Sequence, residues 1–382
     1  MLIALAALSA LYFVVHLYFC LRMRLGVARL ELSQAESRTQ WPKVSMIIPA
    51  RDEAQGIEAA MLTKLAEPYP ELELILVNDR STDGTREIVE RLAKEHPRVR
   101  ALHIDRLPEG WLGKVHALEV GARAATGDLI LLSDADVHVA PGTLAAVVAA
   151  AEDHGADVVG VWPEFRGVSL AVDAALVGAS RWVFISTRAW DAGDPSSRAS
   201  LGVGAFTLVR KRALAQIGGF QALKLEVADD VGLAQLIKRE TGRALALRGG
   251  PNVSLTMYPT MRSFLRGAEK GAVVVNFSAV LAALLALGLV LIELAPLAFL
   301  ALPETRLLGA IAVGAAIVGS IVAADFSGFP RLRAIWWPVG ALVNGFALAR
   351  AGALAAAQKG LRWRDTFYPA DILRAGRRWR PM

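Results

Sequence analysis

The sequence predicts an α/β domain built on a mostly parallel sheet, set between membrane-crossing helices. Two patterns carry that prediction. Between residues 42 and 260, short β-rich apolar runs alternate with helical patterns, and long apolar stretches stand on either side. Composition agrees: the 382 residues are 54% hydrophobic before 33 glycines are added, above the roughly 45–50% that soluble domains reach with glycine included. That excludes a disordered chain and an ordinary soluble enzyme. Cys20 is the single cysteine, so neither an intramolecular disulfide nor a Cys-rich zinc site can form.

Residues 2–21 are apolar or weakly polar, long enough to cross about 30 Å of hydrocarbon as a helix. Arg22, Arg24 and Arg29 follow, and no charged side chain precedes. This predicts a retained anchor over residues 1–24 with the N-terminus outside and the chain beyond it cytoplasmic. A cleaved secretory signal is the competing reading, and it puts the arginines on the wrong side.

Buried strands are expected at 44–49, 72–78, 99–104, 128–133 and 157–162, with helices at 54–66, 82–95, 114–125 and 143–154. Such alternation implies a sheet covered on both faces. Over 168–190 the apolar residues are interrupted by Asp173, Arg181 and Arg188, which favours an amphipathic helix at the bilayer surface over a crossing; a core helix is the alternative.

Apolar character returns at 272–302, breaks at Pro303-Glu304-Thr305, and resumes over 307–324 and 335–357. The region 272–357 therefore holds two to four membrane elements. The segment 358–382 carries seven Lys and Arg against Asp365 and Asp371, nearly all of the net charge of +6. A cytoplasmic tail of that kind, with Trp363, Phe367, Tyr368 and Trp379 among its arginines, suits an anionic leaflet. If tail and sheet domain share the cytoplasm, the C-terminal crossings are even in number. A hairpin turning at 303–305, then an interfacial or re-entrant segment after Trp336 and Trp337, satisfies that.

In parallel sheets ligands bind beyond the C-terminal strand ends, and here those ends are acidic. The first strand runs into Pro49-Ala50-Arg51-Asp52-Glu53, the second into Asn78-Asp79-Arg80-Ser81-Thr82-Asp83-Gly84, and the fourth into Ser133-Asp134-Ala135-Asp136. Any one of them could be a turn with a helix cap. Together they converge on one sheet edge, and two carboxylates two residues apart can grip a hard divalent cation that holds phosphate oxygens.

This ordered set, with Gly110-Trp111-Leu112-Gly113-Lys114 before a helix, resembles the nucleotide-sugar site of family 2 glycosyltransferases of the GT-A fold. Within them it is similar to the membrane-bound ceramide glucosyltransferase-like branch, which includes hopanoid- and carotenoid-associated bacterial enzymes. The resemblance covers roughly residues 42–270, taken as the catalytic domain. It implies a nucleotide-diphosphate sugar donor, a UDP-sugar, held by Pro49, Ala50, Arg51, Glu53, Asn78, Asp79, Lys114, Asp134 and Arg266. Asp79 would accept a hydrogen bond from the base. Asp134 and Asp136 would hold Mg²⁺ or Mn²⁺, with His138 as a possible further ligand or a plain loop histidine.

Asp229-Asp230 could be a plain acidic helix start, but the family resembled here has an acidic pair before an apolar helix at this point, and aligning that pair on Asp229-Asp230 implies that Asp230 is the base of an inverting transfer, with Asp229 as the competing assignment. Gly202 and Gly204 would border the acceptor. The stretch 261–267 keeps Arg266, with Arg262 as its rival for the diphosphate, but lacks the Arg-Trp pair usual in processive synthases. The implied activity is transfer of a sugar to a lipid hydroxyl by a multi-pass protein of the inner membrane with its catalytic domain facing the cytoplasm. A processive polysaccharide synthase and a non-catalytic GT-A membrane scaffold are the alternatives. No nucleic-acid recognition motif accompanies the basic tail.

Overall fold

The computed structural model describes residues 1–378 except 36, 37 and 39. Trp379 and Arg380, counted with the basic tail, lie outside the described residues. The chain divides into two compact units. One holds the sheet: Val27–Glu164, Thr187–Leu255 and the residues from Gly376 onward. The other holds Met1–Gly26, Phe165–Ser186 and Thr256–Ala375.

The strands of the first unit are β1 (Ala28–Arg29), β2 (Val44–Ala50), β3 (Leu72–Asp79), β4 (Val99–Ile104), β5 (Leu129–Leu132), β6 (His138–Val139), β7 (Val158–Phe165), β8 (Thr207–Arg210) and β9 (Ala244–Leu255). They make one sheet in the order β1-β9-β7-β8-β5-β2-β3-β4, with β6 paired to β9. β5, β2, β3 and β4 are mutually parallel, whereas β8 runs antiparallel to both β5 and β7. The central strands VSMIIPA and LELILVND are buried at nearly every position, as strands covered on both faces must be. The GT-A architecture expected from the sequence is thus present. The long β9 has no counterpart among the expected strands.

In chain order the helices are α1 (Leu2–Gly26), α2 (Ile57–Leu65), α3 (Thr85–Glu95), α4 (Gly113–Ala124), α5 (Thr143–Asp153), α6 (Leu170–Thr187), α7 (Lys211–Gln216), α8 (Asp229–Thr241), α9 (Met261–Gly267), α10 (Ala279–Ala301), α11 (Arg306–Ser327), α12 (Arg331–Ala334), α13 (Trp337–Gln358) and α14 (Ala370–Gly376). α8 opens with Asp229 and Asp230, ends with Lys238 and Arg239, and stops at left-handed Gly242, φ 70°. Charge at both ends complements the helix dipole, and the glycine supplies the C-terminal turn.

α1, α10, α11, α13 and the stretch Leu170–Asp191, all but the last few residues of which belong to the second unit, are each long and apolar enough to cross a membrane. Their contacts fix their directions. Leu17 lies against Gly319 and Arg24 pairs with Asp325, so α1 and α11 run the same way. α10 and α11 are antiparallel about the turn after Leu302, with Gly309 against Phe299 and Leu300. Along α13, Trp337 Nε1 donates to the Glu293 carbonyl, Gly345 packs on Val290 and Gly352 on Ala282. α13 is therefore antiparallel to α10 and runs with α11. It also begins at mid-depth, because Trp337 shares a buried cluster with Phe13, Ala312 and Ala316.

α6 differs from the amphipathic surface helix favoured from sequence. Its charges are turned inward and paired. Arg181 donates from Nη1 and Nη2 to the two carboxylate oxygens of Glu293, 3.2 Å each, and Tyr12 OH adds a third bond at 3.2 Å. Arg333 pairs with Asp173. Burial of an ion is tolerated where its partner is held in register, so these residues mark helix contacts rather than a wet face.

The C-terminal basic segment is folded rather than trailing. β10 (Gly360–Trp363) and β11 (Thr366–Pro369) form an antiparallel hairpin leading into α14. Lys270 sits 4.0 Å from the Trp363 ring centroid, and Arg374 Nε donates to Asn276 Oδ1 at 2.9 Å.

Candidate functional site

The C-terminal ends of β2 and β3 are laced together by short polar contacts. Asp52 N donates to Ser81 Oγ at 3.1 Å, and Thr82 N donates to Asp52 Oδ1 at 2.7 Å. Glu53 N donates to Thr85 Oγ1 at 2.9 Å and Ala54 N to Asp83 Oδ2 at 3.1 Å. Asp83 thus serves the turn and the start of α3, as a capping residue would. The sequence pattern after each strand builds one rigid double loop.

On that loop Asp79 is buried, and its carboxylate accepts from Arg80 Nε at 2.7 Å and Arg80 Nη2 at 3.1 Å. Arg51 Nη1 stands 3.9 Å away. A carboxylate oxygen accepts more than one hydrogen bond, so a ligand N–H would share Asp79 with Arg80. Asn78 is buried beside it, with Nδ2 3.4 Å from His103 Nδ1. Its Oδ1 has no hydrogen-bond partner among the described residues.

Pro49, Lys114, Asp134, Gly204, Asp229 and Asp230 line one cleft at the strand ends. Lys114, in the first turn of α4, places Nζ 2.6 Å from Asp134 Oδ1. Burial acts to lower its pKa, but Asp134, Asp229 and Asp230 together outweigh that and raise it. Asp230 is held from two sides: Gly204 N donates to Oδ2 and Val231 N to Oδ1, both at 2.8 Å. Asp229 lines the same cleft as the first residue of α8.

The glycines are required by crowding. A Cβ on Gly204 would stand 2.8 Å from Lys114 Nζ and 2.9 Å from Asp134 Oδ2, and one on Gly202 only 1.8 Å from the Asp230 carbonyl oxygen. No side chain fits at either position without moving the acids. Gly-x-Gly, weak as a motif, is here the surface against which both carboxylates are set.

Asp136 lies beside this group. Burial, reinforced by the charges of Asp134 and Glu53, pushes its pKa up to about 6. Among the described residues no three His, Cys, Asp or Glu side chains gather as a complete metal cage. His138 is not in the cleft lining; it belongs to β6 and pairs with Ser254 of β9. Arg262 and Arg266 are carried on α9 in the other unit and are exposed there.

Three residues were missed in the sequence. The end of α2 holds the loop after Asp136: fully buried Lys64 donates from Nζ to the Val137 carbonyl, Thr63 Oγ1 accepts from Val139 N at 3.1 Å, and Glu67 Oε1 accepts from Gly142 N at 3.0 Å. Burial lowers the Lys64 pKa to about 7 despite the attraction of Asp136 and Asp134, and burial raises that of Glu67 to about 7 despite the N–H groups at the start of α5. A lysine in the last turn of a helix and a glutamate just beyond it read as solvated, and no local pattern marks them otherwise.

Acids, a lysine and glycines thus gather at the open strand ends of this sheet. Residues 1–371 match the sequence profile of glycosyl transferase family 21, and the chain belongs to that family. It is 35% identical over 103 residues to the probable glycosyltransferase YdaM of Bacillus subtilis, covering 26% of this chain and 24% of that one. To the dolichyl-phosphate beta-glucosyltransferase ALG5C of Trichomonas vaginalis it is 37% identical over 100 residues, 24% of this chain and 28% of that one. The matches thus span about a quarter of each relative's length. In structure it is similar to the mannosyltransferase PcManGT from Pyrobaculum calidifontis, solved in complex with GDP-Man and Mn²⁺, at a TM-score of 0.51 and 19% identity over 92% of this chain and 99% of that one. At that identity the likeness is one of fold.

Proposed function

We propose that this glycosyltransferase moves a sugar from a nucleotide-diphosphate donor, a UDP-sugar, to a lipid hydroxyl with inversion, working at the cytoplasmic face of the inner membrane. The observation that carries the reading is the convergence of Lys114, Asp134, Asp229 and Asp230 on one cleft backed by Gly204. Asp79 and the unpartnered Asn78 Oδ1 offer acceptors for the N–H groups of a base, on the double loop that Pro49, Ala50, Arg51 and Glu53 complete. Lys114 offers a cation for phosphate oxygens, and Arg266 of α9 is the further cation assigned to the diphosphate.

The donor set suits a hard divalent ion. Asp134 and Asp136 would hold Mg²⁺ or Mn²⁺, and the burial and neighbouring carboxylates that raise Asp136 are what a cation would offset. When bound, the ion neutralises charge on the diphosphate leaving group. Asp230 is the base: its carboxylate is oriented by Gly204 N, and it takes the proton of the acceptor hydroxyl as the hydroxyl attacks the anomeric carbon. Gly202 and Gly204 border the acceptor.

The membrane reading rests on helix directions. α13 runs against α10, so the chain leaves α13 at the end where α10 begins. That supports two C-terminal crossings, α10 and α11, followed by a re-entrant α12–α13, and returns the basic segment to the end of the helices from which α10 starts.

The test is to purify the full chain in detergent with Mg²⁺ or Mn²⁺ and measure nucleotide-diphosphate release from UDP- and GDP-sugars with lipid acceptors, reading the anomeric configuration of the product by NMR. Asp230→Asn is expected to lose about 100-fold or more in turnover, in the range general-base catalysis contributes. Unchanged turnover in Asp230→Asn or Asp136→Ala, or a retained anomeric configuration, would refute the assignment.

A further inference from the structure

One buried acid in the sheet unit has no part in the site just described. Glu226 stands three and four residues before Asp229 and Asp230 and is 1% exposed. Its two carboxylate oxygens are divided between two segments far apart in sequence. Oε1 accepts from Ala228 N at 3.0 Å, in the turn that leads into α8. Oε2 accepts from Arg378 N at 2.5 Å.

The C-terminal segment meets this loop at two further points. Arg378 Nε donates to the Ala222 carbonyl at 3.4 Å, and Gly376 lies so close to Leu225 that a Cβ there would stand 2.3 Å from the leucine Cβ. On its inner side Glu226 packs under Gly232 in the first turns of α8, where a Cβ would be 3.1 Å from Glu226 Cγ. Glu226 is thus a joint: one oxygen sets the entry into the helix that carries Asp229 and Asp230, and the other is fixed by the end of the chain.

We infer that Glu226 is a positioning residue for Asp230 and that Gly376–Arg378 is a strap which holds it in place, so that the C-terminal segment is a working part of the catalytic unit and not only a membrane-surface patch. The inference rests on the reading of Asp230 as the base. A buried carboxylate keeps its place only while its hydrogen bonds are made. When the Arg378 N–H is lost, one of the bonds that hold Glu226 in place goes with it, and the start of α8 is freed to shift away from Gly204.

The backbone donor can be removed selectively. Arg378→Pro deletes the N–H, whereas Arg378→Ala keeps it and deletes only the guanidinium. In detergent-purified full-length protein, Arg378→Pro and Glu226→Ala are expected to lower kcat about tenfold, the worth of one hydrogen bond to a buried charged group. Donor KM and thermal stabilisation by UDP should stay within about twofold of wild type, because the strap's bonds run to Glu226 and Ala222 and not to the double loop after β2 and β3. Arg378→Ala should keep at least several-fold more activity than Arg378→Pro, and Glu226→Gln, which retains an acceptor, should fall between Glu226→Ala and wild type.

Asp230→Asn is run alongside. If it abolishes transfer while Arg378→Pro and Glu226→Ala turn over at the wild-type rate, the strap inference is wrong and the base assignment stands. If Asp230→Asn itself turns over normally, the base reading fails and takes this inference with it. A loss in Arg378→Pro that appears equally in donor KM and UDP stabilisation would mean general damage to the fold, and it too would overturn the positioning role.

Discussion

Replacing Lys64 with methionine tests how the acidic loop is held. Its ammonium is fully buried and donates to the Val137 carbonyl, one residue past Asp136. The fall in pKa from 10.5 to about 7 corresponds to about 4 kcal/mol against the charged form near neutrality. Because the folded pKa lies below the unfolded one, the unfolded chain holds the proton more tightly between about pH 7 and 10.5, so wild-type stability rises with pH across that window. Methionine removes this penalty and also the hydrogen bond, leaving a buried carbonyl unpaired at about 1–3 kcal/mol. Lys64→Met should therefore be the more stable protein by about 1–3 kcal/mol at pH 7, and should lose that advantage by about pH 10, where the penalty has fallen below about 1 kcal/mol. Thermal unfolding in detergent at the two pH values measures this. A wild type more stable at pH 7, or a difference between the two proteins that does not change with pH, refutes the reasoning. Donor KM should rise in the variant, since the loop that carries Asp136 loses its anchor.

Other consequences are separately measurable. Arg181→Met or Glu293→Gln should each cost about 3–5 kcal/mol, as breaking a buried pair does, while Arg181→Met with Glu293→Leu should recover most of it; a double loss equal to the sum of the two single losses would mean the pair is not coupled. As pH falls through about 6, Asp136 takes up a proton, and the Mn²⁺ concentration needed for half-maximal activity should rise about tenfold per pH step below that point. A flat metal requirement from pH 7 to 5 would remove Asp136 from the metal site. Gly204→Ala should part Lys114 from Asp134 and cut kcat/KM, while Gly202→Ala, which meets a backbone carbonyl at 1.8 Å, should fail to accumulate as folded protein. Wild-type kinetics in Gly204→Ala would show that the cleft is looser than its geometry.

What the sequence reveals follows from what is repeated locally. β2 and β3 are apolar at successive positions and end in clustered acids, so both strand and site edge can be read from consecutive residues. β9 cannot: it contains Gly249, Gly250 and Pro251, which weigh against a strand until its pairing with β1 and β6 is known. α6 misleads for a related reason. Asp173 and Arg181 count as polar in any window, and only their partners Arg333 and Glu293, more than a hundred residues away, make them interior groups.

The same distinction runs through the site. Asp134, Asp136 and Asp229-Asp230 announce themselves as pairs. The groups that set their geometry do not: the Lys64 amine, the Gly204 amide and the Glu226 carboxylate each act on a backbone or carboxylate atom that lies distant in sequence. A carboxylate cluster at the mouth of a sheet repels itself, and the donors that steady this one come from different elements. Asp134 has Lys114 of α4, Asp230 has the loop before β8, and the loop after Asp136 has α2. The chemistry is therefore written in short motifs, while the arrangement that allows acids to sit together at neutral pH is written in single residues whose meaning appears only once the sheet brings them into contact.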